Sequence, residues 1–107
     1  MTFYIKQNDT SPSMLATLQD ADGNAIDLTS ATVRFHMRAV GGNQVVVDDA
    51  VTVVTPLSGI VRYDWSADDT DTIGSYQAEF EVTYADASIE TFPNDGYIRV
   101  EIIDDIT

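Results

Sequence analysis

Apolar and polar residues alternate one by one along much of this chain, and no useful length of it repeats them at helical spacing. In an extended strand successive side chains point to opposite faces, so this alternation marks strands with one face buried and the other in water. From Thr32 to Arg38, Val33, Phe35 and Met37 alternate with Thr32, Arg34, His36 and Arg38. From Tyr76 to Tyr84, Tyr76, Ala78, Phe80, Val82 and Tyr84 share one face, opposed by Gln77, Glu79, Glu81 and Thr83. Tyr97 to Ile103 turns Ile98, Val100 and Ile102 inward, and Ile60 to Trp65 does the same with Val61, Tyr63 and Trp65. Weaker strands are expected over Thr2–Gln7, Ser13–Gln19, Gln44–Thr55 and Ser88–Phe92. In the third of these, Asp48-Asp49 breaks the alternation, as a bulge or a turn would.

Turn residues separate these stretches at regular intervals. Asp20-Ala21-Asp22-Gly23-Asn24 and Pro56-Leu57-Ser58-Gly59 carry the Gly and Pro that tight turns need. Gly41-Gly42-Asn43, Ala85-Asp86-Ala87 and Pro93-Asn94-Asp95-Gly96 are expected to close hairpins. One apolar face per strand and regular turns predict an all-β, antiparallel sandwich, with a small closed barrel as the alternative. With 107 residues and no linker or repeat, residues 1–107 are expected to form one domain. Ser66 to Thr72 departs from the strand pattern and predicts a single helical turn capped by Ser66. Just after it, Tyr76 precedes Ala78 by two positions, as the tyrosine of a tyrosine corner precedes a core cysteine in immunoglobulin domains. The ending Asp104 to Thr107 reads as a fraying end or short tether.

Little in the sequence supports catalysis. There is no Cys, and the one His, His36, lies on the polar phase of its strand between Arg34 and Arg38. With a cationic residue on either side of it on that phase, His36 is not expected to serve as a catalytic base. The acidic run Asp68-Asp69-Thr70-Asp71 could offer oxygens to Ca²⁺ but lacks the spacing of an EF-hand loop; a solvated loop with capping carboxylates is the expectation, with no metal and no cofactor. Eighteen Asp and Glu against five Lys and Arg give a formal charge of −13, which repels phosphate backbones and anionic membranes. No nucleic-acid or membrane partner is therefore expected, and the first residues lack the pattern of a signal peptide. The acidity itself reads as solubility or as adaptation to high salt. Phe35, Tyr63, Trp65, Tyr76, Phe80 and Tyr84 are expected in the core. Arg34 and Arg38 are expected to meet Glu79 and Glu81 if their two strands are neighbours.

Four sets of residues carry a resemblance: Asp9 to Pro12 with Ala16 to Gly23, Ile26 to Phe35, Gly59 to Trp65 with Asp69-Thr70, and Gly74 to Val82 with Thr91 to Tyr97. Over nearly the whole chain they resemble the N-terminal domain of the phage baseplate upper protein family. The resemblance implies an immunoglobulin-like sandwich of about 7–9 strands and a structural role in a tailed-phage virion, assembled in the host cytoplasm. In better-known members the domain begins a longer protein whose later parts carry coiled coil and receptor-binding-protein contacts; this sequence carries only the sandwich. A stand-alone copy is expected in the baseplate or tail tip, or on the capsid as a decoration or head-fibre-base protein. Its partners would be other virion proteins, and it would be a homo-oligomer or a multi-copy component. The candidate protein-contact surface is Phe3, Tyr4 and Ile5 together with Val45, Val46 and Val47, whose apolar side chains are more than a small core requires. A module that binds carbohydrate or a host surface would instead need exposed coplanar aromatics, for which Tyr4, Phe92 and Tyr97 are the candidates.

Overall fold

The structure is a computed structural model that describes residues 2–106. Nine strands follow in chain order: β1 (Thr2–Lys6), β2 (Met14–Thr17), β3 (Thr32–Ala39), β4 (Val45–Ala50), β5 (Thr52–Thr55), β6 (Ile60–Tyr63), β7 (Gly74–Thr83), β8 (Ile89–Phe92) and β9 (Ile98–Ile103). Between them lie two short 3₁₀ turns, Pro56–Ser58 and Ala67–Thr70. The strands form two sheets. One has six strands in the order β1-β9-β7-β3-β4, with β8 also paired to β7; the other has three, in the order β2-β6-β5. Among the described residues β1 and β9 form the one parallel pair of strands, with Phe3 beside Val100 and Ile5 beside Ile102.

The core lies between the sheets, where the alternation placed it. Val33, Phe35 and Met37 of β3 oppose Val82, Phe80 and Ala78 of β7 in register, and all six are buried. Val61 and Tyr63 of β6 close the core from the smaller sheet. Phe35 and Tyr63 stack across the gap with ring centroids 4.3 Å apart, and Trp65 sets its edge against both at 5.6 and 5.1 Å. Stacked and edge-to-face pairs of this kind add about 0.5–1.5 kcal/mol each to what burial gives. Tyr84 is only partly buried, unlike the other five aromatics expected inside. The Tyr76 hydroxyl donates to the Thr72 carbonyl at 2.6 Å, which is the tyrosine corner.

Two local expectations are corrected. The Gln44–Thr55 stretch does not break at Asp48-Asp49: β4 runs through both, and its bulge falls at Val46, because Met37 faces Val47 while Arg38 faces Val45. The true break is Val51, where the chain leaves the six-stranded sheet for β5 in the other. Pro93 to Gly96 does not close a hairpin. Both β8 and β9 pair with the same edge of β7, β8 along Phe80–Thr83 and β9 along Gly74–Ala78. The loop is thus a detour within what is otherwise one line of chain. The Ala67–Thr70 turn, by contrast, is capped at Ser66 as expected, and the Asp69 carboxylate reinforces the cap by accepting from the Ser66 N–H at 2.8 Å and from the Tyr63 hydroxyl.

Candidate protein-contact surfaces

The six residues singled out from the sequence lie on two separate edges. β1 is one border of the six-stranded sheet and β4 the other, with β9, β7 and β3 between them. Four strand spacings of about 4.8 Å put the borders roughly 19 Å apart. Within each segment the strand pleat divides the side chains. Ile5 and Val47 face the core and are 3% and 4% exposed, while Phe3 is half-buried with its ring 5.7 Å from that of Trp65. Tyr4, Val45 and Val46 face out, at 63%, 53% and 51% exposure.

What those edges can do is set by the backbone. A border strand presents unpaired N–H and C=O groups, which is a template for a strand of another chain. In β4 the first half is three valines and the second is Asp48-Asp49, so the charged half is guarded against pairing and the apolar half is not. The bulge at Val46 places two adjacent exposed valines, Val45 and Val46, at that border. Beside β1, Tyr4, Ile5, Ile103 and Pro12 line a shallow apolar hollow of about 200 Å³.

Between the borders, the outer face of the six-stranded sheet is polar. Arg34 donates to the Asp48 carboxylate at 2.8 Å, and His36 lies 3.1 Å from the same carboxylate. The Arg34 guanidinium and its hydrogen bond hold the Asp48 carboxyl below the usual carboxylate range. Glu101 is lowered too, first by the Ser75 hydroxyl at 2.6 Å and then by Arg99 at 3.0 Å. Arg38 behaves differently. Its guanidinium lies over the Tyr97 ring, 5.3 Å from the centroid, and donates to the Gln77 side chain and the Tyr97 hydroxyl. The expected pairing of Arg34 and Arg38 with Glu79 and Glu81 does not form. The strands are indeed neighbours, with Arg34 opposite Glu81 and His36 opposite Glu79. However, Asp48 on the other side of β3 takes Arg34, and Tyr97 takes Arg38. His36, Arg38, Asn43, Val45, Glu79 and Tyr97 border a groove of about 320 Å³ on this face.

The rival site chemistries find less. Phe92 is buried at 3% exposure, so Tyr4, Phe92 and Tyr97 do not form an exposed aromatic platform, and Arg38 lies over one face of the half-exposed Tyr97 ring. In the acidic run, the Asp69 carboxylate is held by the Ser66 N–H and the Tyr63 hydroxyl, and Asp71 accepts from the Thr72 hydroxyl. Among the described residues no three His, Asp or Glu side chains gather as a metal site would require. Nor is any helix of the described residues long and apolar enough to cross a membrane. Sequence reasoning missed the groove and the clustering of cations around it. The signal was present in the polar phase of each strand, but it takes the register of neighbouring strands to bring Lys6, Arg34, Arg38 and Arg99 onto one face.

Comparison with known proteins adds the family. Residues 2–93 match the sequence family described as the BppU N-terminal domain. Among solved structures, the chain is similar to the "N-terminal domain of phage TP901-1 ORF48", with a TM-score of 0.62 at 14% identity over 98% of this chain and 85% of that one. It is also similar to CopC from Methylosinus trichosporium OB3b, with a TM-score of 0.54 at 14% identity over 99% of this chain and 87% of that one. At such identities these likenesses speak for the sandwich fold alone. No curated protein matches the sequence.

Proposed function

The chain belongs to the BppU N-terminal domain family of phage baseplate structural proteins, and from that premise we propose that it is a baseplate or tail-tip component that binds neighbouring virion proteins through its strand borders. A phage tail or baseplate structural role, and with it a place in the virion, follows from the family. The finer reading rests on one observation. Both borders of the six-stranded sheet carry outward apolar side chains, Tyr4 on β1 and Val45 and Val46 on β4, beside backbone groups with no strand to pair with among the described residues. Strand addition at such a border supplies main-chain hydrogen bonds for affinity and side-chain contacts for selectivity. In this reading residues 1–107 act as one rigid module, and its work is binding and not catalysis.

The test uses phage particles in which the chain carries Tyr4→Ala or Val46→Lys. A lysine on a border strand opposes pairing at little cost to the fold. The expected result is purified particles with at least a severalfold lower copy number of the variant chain, although the variant itself unfolds in urea near the wild-type midpoint. Wild-type occupancy for both variants overturns the border reading. Cryo-electron microscopy of wild-type particles locates the chain: density at the baseplate or tail tip supports the reading, and density on the capsid replaces it with a decoration or fibre-base role.

A further inference from the structure

The charge of this molecule is not spread evenly. Lys6 on β1, Arg34 and Arg38 on β3 and Arg99 on β9 all occupy outward positions of the six-stranded sheet, as does His36. That is every Lys and Arg of the chain except Arg62. The same face carries four carboxylates, those of Asp48, Glu79, Glu81 and Glu101. The face is therefore balanced, and the entire formal charge of −13 lies on the remaining surface. A second copy of this chain approaching from any other direction brings two strongly acidic surfaces together; approaching here it brings together faces without net charge, where like-charge repulsion is weakest.

The balance is also incomplete within one copy. Asp48 and Glu101 are paired with Arg34 and Arg99, but among the described residues neither Glu79 nor Glu81 accepts a side-chain hydrogen bond. Arg38 donates to no carboxylate; Tyr97 holds its guanidinium beside the groove, and Glu79 lines the same groove. A cation without a carboxylate partner and a carboxylate without a hydrogen-bonded cation, flanking one hollow, form a self-complementary pattern: under a two-fold rotation, Arg38 of each copy meets Glu79 of the other. The area is sufficient. Four strand spacings by the length of β7 give a face of roughly 19 by 30 Å, on the order of 600 Å² per copy and about 1,100 Å² for the pair, above the ~1,000 Å² that a specific interface needs.

We infer that two copies of this chain pack outer face to outer face about a two-fold axis through this groove, with Arg38 and Glu79 paired across it. The inference differs from the strand-border reading in what it engages: it uses the side chains of the outer face, at whose margins Tyr4 and Val45 stand, and leaves the unpaired backbone edges of β1 and β4 open to other strands.

Sedimentation of the purified chain at about 100 μM and about 0.15 M salt tests it. The wild type is expected at twice the 11.7 kDa of one chain. Arg38→Glu and Glu79→Arg, each alone, are expected as monomers, because each places like charges across the axis twice. An equimolar mixture of the two variants restores opposite charges at both positions, so it is expected to sediment as a dimer, which also establishes that both variants are folded. Val46→Lys is expected to remain dimeric. A monomeric wild type, single variants that stay dimeric, or a mixture that stays monomeric overturns the inference; a Val46→Lys monomer transfers the contact to the β4 border and overturns it too.

Discussion

Two tyrosine hydroxyls in this sandwich donate to carboxylates, Tyr63 to Asp69 and Tyr84 to Glu90, and burial, with these bonds and charges second, makes both reluctant to ionise. For Tyr84, burial and then the Glu90 hydrogen bond and charge push the phenol up to about 12. An unfolded tyrosine ionises near 10. A folded value above the unfolded one contributes stability that is full below pH ~10 and is lost as the pH rises toward 12. Tyr84→Phe is therefore expected to lower the urea midpoint at pH 9, and the gap from the wild type is expected to shrink by pH 11.5. A gap that stays constant across that range rules out the Tyr84–Glu90 contact as its source. Residue by residue, most of the interior was legible in the sequence: Phe35, Phe80, Val82 and Val100 are fully buried on the faces the alternation assigned them. Tyr84 was misjudged because it stands just past the end of β7, where the alternation persists but the second sheet no longer covers it. Phe3-Tyr4-Ile5 and Val45-Val46-Val47 are unbroken apolar runs, so nothing in their residue types tells that Ile5 and Val47 face inward while Tyr4 and Val46 are exposed.

The elements are joined by turns whose backbones admit few residues. Gly59 ends the Pro56–Ser58 turn with φ of +65°, in the left-handed region. Its neighbours make the position stricter, since a Cβ there would lie 2.6 Å from the Leu18 carbonyl oxygen and 2.9 Å from that of Ile26. The same glycine accepts from the Leu18 N–H at 2.8 Å, which ties the β5–β6 connection to the end of β2. Gly59→Ala is expected to cost more than the ~1–2 kcal/mol of a left-handed residue alone, because backbone must move to admit it. Urea denaturation reads this directly, and a loss below about 1 kcal/mol would mean that the three segments separate without penalty. At this scale the sequence was a good guide to where strands lie and a poorer one to which strand pairs with which. Gly41-Gly42-Asn43 closes the β3–β4 hairpin as expected. Pro93 to Gly96 has a similar turn-forming composition but sits between two segments that share one edge of β7, and local turn chemistry does not distinguish the two cases.

For the molecule as a whole, the strongest influence beyond the core is the acidic field. Fourteen carboxylates and Arg62 share the surface outside the balanced face, and their mutual repulsion weakens the compact state. Raising the salt from about 0.01 to 0.15 M shortens the screening length from roughly 30 to 8 Å. Both the urea midpoint and the fraction of dimer are therefore expected to rise with salt. If surface ion pairs such as Arg62–Asp64 and Arg99–Glu101 governed stability, salt would lower the midpoint instead. A midpoint that falls over this range would give those pairs the larger share.

The parallel pairing of β1 with β9 has a mechanical consequence. Because the two strands run the same way, the chain enters the sandwich beside Arg99 and leaves it beyond Ile103, at the opposite end of the pair. Tension applied between the two ends pulls β1 and β9 past each other along their length. The hydrogen bonds that join them are then strained all at once, instead of opening one by one like a zip. A module wired this way can carry a load in line with its strands, as a link in a chain does.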